Sequence, residues 1–144
     1  HAEAYNQLGY AAFYQGDYEK AVELLQRYAY LAPGLANPHD SLGEILMNLG
    51  RYEQAEAEFR KALAKQPEFV PSILNLATVK IARGQLDEGI DLLEKLRSMV
   101  AGTYFESRID RLAIHTYYAN RLWSELEEAT ARPQAHPLGN AGTP

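Results

Sequence analysis

The chain has 144 residues, no cysteine, and 14 Lys and Arg against 19 Asp and Glu, for a formal charge of −5. That length usually makes one domain that can bury roughly two-thirds of its unfolded surface. A negative chain without a basic stripe is not expected to bind nucleic acid through the phosphate backbone, the missing cysteines exclude disulfides and thiolate chemistry, and no apolar run approaches the roughly 20 residues needed for membrane insertion.

The first residue is His1, with no signal-like segment after it, as expected of a fragment of a longer chain or a retained tag residue. A soluble chain is expected, with the cytoplasm favoured although the composition does not fix the compartment.

The chain repeats itself every 34 residues. Leu8-Gly9, Leu42-Gly43 and Leu76-Ala77 recur at that spacing, as do Gly16, Gly50 and Gly84, then Tyr18, Tyr52 and Leu86, then Ala21, Ala55 and Gly89. Pro33 and Pro67 close two of the units. A fixed period of this length means one supersecondary unit stacked on copies of itself.

In the first unit Tyr5, Leu8, Gly9 and Ala12 recur at i, i+3, i+4 and i+7, one face of a helix. Gly16 supplies the left-handed turn, and Asp17 can cap the next helix. That helix carries Ala21, Leu24, Leu25 and Tyr28 inward and stops before Pro33-Gly34. The second unit opens at Asn37-Pro38-His39-Asp40, read as a capping Asn, a first-turn Pro and a carboxylate at the positive helix end. It continues with Leu42, Gly43, Leu46, Gly50, Ala55, Phe59, Ala62 and Pro67.

The third unit starts at Pro71, keeps the spacing through Ile73, Leu76, Ala77, Gly84, Leu86, Gly89, Leu93 and Leu96, and ends at Ala101-Gly102. Thr103 and Glu106 form a capping-box pattern opening a helix near 104–119, with Ile109, Leu112, Ala113 and Thr116 at helical spacing. Asn120 takes the turn, two residues late, before a last helix with Leu122, Trp123, Leu126 and Ala129. From Arg132 the tail, 132–144, is rich in Pro, Gly and Ala and is expected to be disordered.

This pattern resembles the tetratricopeptide repeat, a 34-residue helix-turn-helix with Leu-Gly, Tyr, Ala, aromatic and Pro residues at set positions. Residues 2–35 and 36–69 match closely, 70–103 less closely, and 106–131 forms a divergent fourth unit, which together make a domain over 1–131. Tyr28 departs from the pattern, standing where a small residue is expected, and the third unit lacks its proline. The resemblance implies an all-α, right-handed α-solenoid of three regular helix pairs plus a divergent fourth. First helices would line an inner groove, and second helices the outer face.

The groove positions follow by offset from Leu-Gly. The first unit supplies Asn6, Tyr10, Phe13 and Tyr14, and the second Asp40, Ser41, Glu44, Met47 and Asn48. The third supplies Leu74, Asn75, Thr78 and Ile81, and the divergent unit Asp110, Arg111 and Tyr117. Asn75 looks like the family's backbone-gripping asparagine, whose amide can satisfy an extended peptide. The alternative for Phe13 or Tyr10 is simple packing between units, and that for Asn75, of equal weight, is a solvated polar residue.

No catalytic constellation accompanies these residues, so no enzyme, cofactor or metal site is expected. The four histidines, at 1, 39, 115 and 136, lack metal-ligand spacing, and His115 reads as a partly exposed helix residue. Glu53, Glu56 and Glu58, with Arg60 and Lys61 nearby, read as a solvated charged face.

Two function classes remain: an adaptor that binds a peptide or partner protein in the groove, or an assembly module forming homo-oligomers or docking within a larger protein. An acidic chaperone tail is not the expected ligand, because the groove offers no Lys and carries Asp40 and Glu44. Trp123, at an apolar C-terminal end, is expected to be covered by the tail, a second copy or a missing domain.

Overall fold

The computed structural model describes residues 1–102, 109–112 and Ser124. Among them lie six helices: α1 (Ala2–Tyr14), α2 (Tyr18–Leu31), α3 (Asn37–Asn48), α4 (Tyr52–Lys65), α5 (Val70–Ala82) and α6 (Leu86–Val100). They pack as the pairs α1–α2, α3–α4 and α5–α6, with α2 against α3 and α4 against α5. This is the all-α solenoid that the repeat predicts.

Each pair turns on one glycine. Gly16, Gly50 and Gly84 have φ of 84°, 73° and 78°, a region where a side chain would clash with its own backbone. Asp17 caps α2 as expected, accepting from the Lys20 amide at 3.3 Å. Asn37 does not cap α3. It lies inside the helix, with no side-chain cap, and its amide donates to the Tyr28 hydroxyl at 3.3 Å. That bond gives the out-of-pattern Tyr28 a polar partner although the residue is only 2% exposed.

The small residues set how closely each pair approaches. A Cβ at Gly9 would fall 2.7 Å from Leu25 Cγ, and one at Gly43 would fall 2.6 Å from Phe59 Cε1. In the third pair the arrangement inverts. Ala77 replaces the first-helix glycine, and Gly89 stands where α2 and α4 carry Ala21 and Ala55. A Cβ at Gly89 would meet Ile81 Cγ1 at 2.6 Å and the Ala77 carbonyl at 3.3 Å. The pair needs one bare backbone at its crossing, and either helix can provide it.

The core follows the predicted positions, except that Tyr5 and Leu24 are only half-buried and Leu8 is exposed. Ala21, Leu25, Leu42, Leu46, Ala55, Phe59 and Ala62 are buried in the first two units, and Ile73, Leu76, Ala77, Leu93 and Leu96 in the third. Leu8, expected inside, is 54% exposed. Ile109 is buried against Leu93, Leu96 and Val100, so residues 109–112 continue the stack as helix. The Thr103–Glu106 cap, Asn120, Leu122, Trp123, Leu126 and the tail 132–144 lie outside the described residues.

Candidate functional site

The first helices α1, α3 and α5 adjoin one another in that order, and polar bonds cross both junctions. From α1, the Tyr10 hydroxyl donates to Glu44 Oε2 on α3 at 2.7 Å. From α5, Ser72 Oγ donates to Asp40 Oδ1 on α3 at 2.7 Å, and Asn75 Nδ2 donates to the same oxygen at 3.3 Å. One continuous layer results, with two carboxylates at its centre.

Those carboxylates lack a cation. Among the described residues neither Asp40 nor Glu44 pairs with Lys or Arg, and their donors are neutral. Asp40 is 6% exposed. Burial pushes its carboxyl up to about 6; the Ser72 and Asn75 bonds pull the other way, and the nearby Glu44 charge adds to the rise. Burial also raises the Tyr10 phenol, with the Glu44 bond and charge acting in the same direction.

The remaining inner-face positions divide into surface and packing groups. Asn6 is half-buried, and its Oδ1 is a buried acceptor without a partner among the described residues. Phe13 packs half-buried on the core and stands 5.7 Å, centroid to centroid, from Tyr14 and 5.5 Å from Tyr18. Tyr14 is 81% exposed. Met47 is half-buried and Asn48 exposed, while Ser41 is buried beside Tyr10.

Three positions carried over from the repeat pattern turn inward or onto their own helix. Leu74 is buried within the third unit, Ile81 packs against the bare Gly89 backbone, and Thr78 Oγ1 donates to the Leu74 carbonyl at 2.9 Å. In the fourth unit Asp110 accepts a 2.8 Å bond from Arg97 Nε, and Arg111 is exposed. Tyr117 lies outside the described residues.

The sequence profile of the tetratricopeptide repeat family matches residues 12–68 and 46–103, which together span well over half of the chain. The chain belongs to that family. No curated protein matches its sequence. Solved structures resemble this tetratricopeptide repeat chain in fold. The TPR2B domain of yeast Sti1, solved as a pHsp70 complex, is 24% identical with a TM-score of 0.74, over 82% of this chain and 97% of that one. The Yersinia enterocolitica type III secretion chaperone SycD, solved with a peptide of the translocator YopD, is 17% identical with a TM-score of 0.72, over 82% and 93%. The Sgt2 TPR domain of Aspergillus fumigatus is 19% identical with a TM-score of 0.74, over 98% and 90%.

On the outer layer of this repeat protein the carboxylates are not simply a solvated face. Glu56 receives Lys80 Nζ at 2.9 Å, Arg60 Nη2 at 2.8 Å and Arg83 Nη1 at 2.7 Å, tying α4 to α5. Burial by itself would raise its carboxyl, but the hydrogen bonds from Lys80 and Arg60 outweigh that and hold it at about 2. Lys80 is 5% exposed and also meets Glu88 at 2.9 Å; the bond with Glu56 first, and then that with Glu88, raises its ammonium pKa against the opposing effect of burial. Glu58 is likewise half-buried and contacts His39 Nδ1 at 2.7 Å; Glu53 alone of the three is exposed, and it meets Arg83 Nη2 at 3.2 Å.

Reasoning from sequence passed over Ser72 and Lys80, though the register held a signal for each. Ser72 lies 32 residues after Asp40, nearly one repeat away. Lys80 occupies the core position of Ala12 and Leu46, where a charge needs partners. A crevice of about 820 Å³ opens between α2 and α4, lined by Val22, Leu42, Leu46, Arg51 and Glu58 among others, and it lies on the outer side rather than along the inner layer. Among the described residues no group of three or more His, Asp or Glu could hold a metal ion, and no helix is long and apolar enough to cross a membrane.

Proposed function

We propose that this chain is a protein-interaction module that binds a peptide or a segment of a partner protein in the concave groove formed by α1, α3 and α5. One observation carries the reading: the Tyr10–Glu44 bond and the Ser72 and Asn75 bonds to Asp40 join three successive first helices into a single polar and aromatic surface. Tyr10, Phe13 and Tyr14 supply aromatic anchors, Met47 adapts to shape, and Asn75 keeps its carbonyl oxygen for a ligand. Aromatic groups beside polar ones make interface hot spots. The pHsp70 complex of the yeast structure and the YopD-peptide complex of the Yersinia structure support a ligand of this kind on this fold.

The uncompensated carboxylates favour a neutral or basic segment over an acidic one. A pull-down from native lysate with mass spectrometry identifies the partner, and calorimetry with the purified segment measures its affinity. Phe13→Ala combined with Asn75→Ala should weaken binding at least tenfold, whereas Glu53→Ala, on the outer layer, should leave it intact. Equal affinity in the double variant would move the site off this surface.

A further inference from the structure

Five carboxylates are buried or half-buried among the described residues. Three have a cation of their own: Glu56 takes Lys80, Arg60 and Arg83, Glu58 takes Lys61, and Asp110 takes Arg97. The other two are Asp40 and Glu44, one turn apart on α3. The layer around them is short of donors as well. Tyr10, Ser72 and Thr78 spend their hydroxyls inside the chain, on Glu44 Oε2, Asp40 Oδ1 and the Leu74 carbonyl. Oxygen acceptors are what remains open: Glu44 Oε1, Asp40 Oδ2 and the buried Asn6 Oδ1, which no donor meets among the described residues. Asn6 stands one repeat ahead of Asp40 and one turn before Tyr10. A carboxylate taken out of water without a cation is costly, so a ligand bringing N–H donors and positive charge recovers most here. The rings of Tyr10 and Tyr14, one turn apart on α1, add faces that attract cations.

We propose that the occupant of the groove is a basic segment of a partner protein, whose Lys or Arg sets its cation on Glu44 at the α1–α3 junction and its stem along Tyr10 and Tyr14, an assignment that rests on the groove function proposed above. Charge complementarity selects this occupant over the others at hand. A second copy would bring the same charge of −5 to an acidic surface. From Ser124 onward the sequence holds one cation, Arg132, against Glu125, Glu127 and Glu128. No group of three or more His, Asp or Glu that could hold a metal ion occurs among the described residues.

Docking is also linked to a proton. Asp40 meets the charge of Glu44 on its own helix and the phenol of Tyr10 from α1, while α5 offers it the neutral Ser72 and Asn75. His39, next to it in sequence, turns to Glu58 of α4, and no Lys or Arg of α2 or α4 pairs with it. Burial first, and the Glu44 charge after it, hold the Asp40 carboxyl up at about 6. A cation on Glu44 cancels the second of these, so Asp40 gives up its proton more readily in the complex. Affinity should therefore rise as pH climbs from ~5 to ~6.5 and level off above that.

Random peptides displayed on phage, panned at pH ~7, supply the probe. The selected peptides should be rich in Lys and Arg. Replacing their key cation by norleucine, or Glu44 by Gln, should each weaken binding about tenfold or more, with little further loss when both are changed. Glu44→Gln keeps an acceptor for Tyr10, and circular dichroism verifies that its helices are intact. Calorimetry at pH ~6 in buffers of different ionisation enthalpy should show proton release on binding, lost in Asp40→Asn. Enrichment of neutral or acidic peptides, or of none, overturns the basic occupant; neutral peptides that lose affinity with Phe13→Ala and Asn75→Ala leave the groove function standing. Basic peptides that bind Glu44→Gln as well as the parent respond to net charge alone and overturn the occupant, and their indifference to Phe13→Ala with Asn75→Ala would remove the groove function too. Spermidine binding as tightly as the peptides, with the same dependence on Glu44, assigns the seat to a free polyamine and overturns the partner segment.

Discussion

Tyr10 and Glu44 stand one 34-residue repeat apart, and the hydroxyl of the first meets the carboxylate of the second at 2.7 Å. Residues one period apart occupy the same place on successive first helices, so the stack brings them face to face. The inner layer is therefore built from pairs that sequence separation alone would call distant.

Tyr10→Phe tests this pair without emptying its volume. It leaves a half-buried Glu44 without its phenol donor, a loss of about 1–2 kcal/mol. Urea unfolding should show it, and Glu44→Gln in the Tyr10→Phe background should cost less than Glu44→Gln alone if the two residues are coupled.

Gly43 is fixed by packing rather than by backbone conformation. Gly43→Ala puts a Cβ 2.6 Å from Phe59 Cε1, and overpacking of this kind typically costs about 1–3 kcal/mol. Gly43→Leu should cost more, and Phe59→Leu should recover part of the Gly43→Ala loss. Melting of Gly43→Ala at the parent's temperature would contradict the crossing geometry.

Asp40 should make the fold less stable as pH rises. Its folded value of about 6 lies above the ordinary 3.8, so the folded chain holds a proton that the unfolded chain has released. Stability then falls as pH climbs from ~4 to ~6, by about 1–3 kcal/mol in total. Asp40→Asn keeps an acceptor for Ser72 and Asn75 and should flatten that window, melting higher than the parent at pH 7.5 and close to it at pH 4.

Glu56 acts in the opposite sense. Its folded value of about 2 lies below the ordinary 4.5, so its contribution is complete above pH ~4.5 and is lost as pH falls towards 2. Removing either partner should have unequal effects. Lys80→Leu restores the apolar type of Ala12 and Leu46 and leaves Glu56 with Arg60 and Arg83, so it should cost under about 1.5 kcal/mol. Glu56→Leu leaves a buried ammonium with Glu88 as its only carboxylate among the described residues, and should cost about 3 kcal/mol. Urea unfolding at pH 7 ranks the two.

An acidic C-terminal peptide of the chaperone type should not bind the groove. Calorimetry with such a peptide should show no micromolar affinity for the parent, because Asp40 and Glu44 meet it with like charge. Asp40→Asn with Glu44→Gln should improve binding if repulsion is the reason.

The repeat determined most of the fold by itself. Leu-Gly at the crossing, glycine at the turn and alanine on the facing helix each have a local steric cause, so their spacing named the pairs and their core residues. Asp17 as a cap was legible for the same reason. What a single period could not reveal was contact between units. Asn37 left the capping role for Tyr28, and Glu56 and Lys80 became an inter-helix ion cluster, because each depends on what the neighbouring unit places opposite. Leu8 marks that boundary most plainly. Its sequence environment is that of Leu42 and Leu76, each 4% exposed, yet Leu8 is 54% exposed, because burial is a property of the helices packed around a residue, which only the tertiary structure shows.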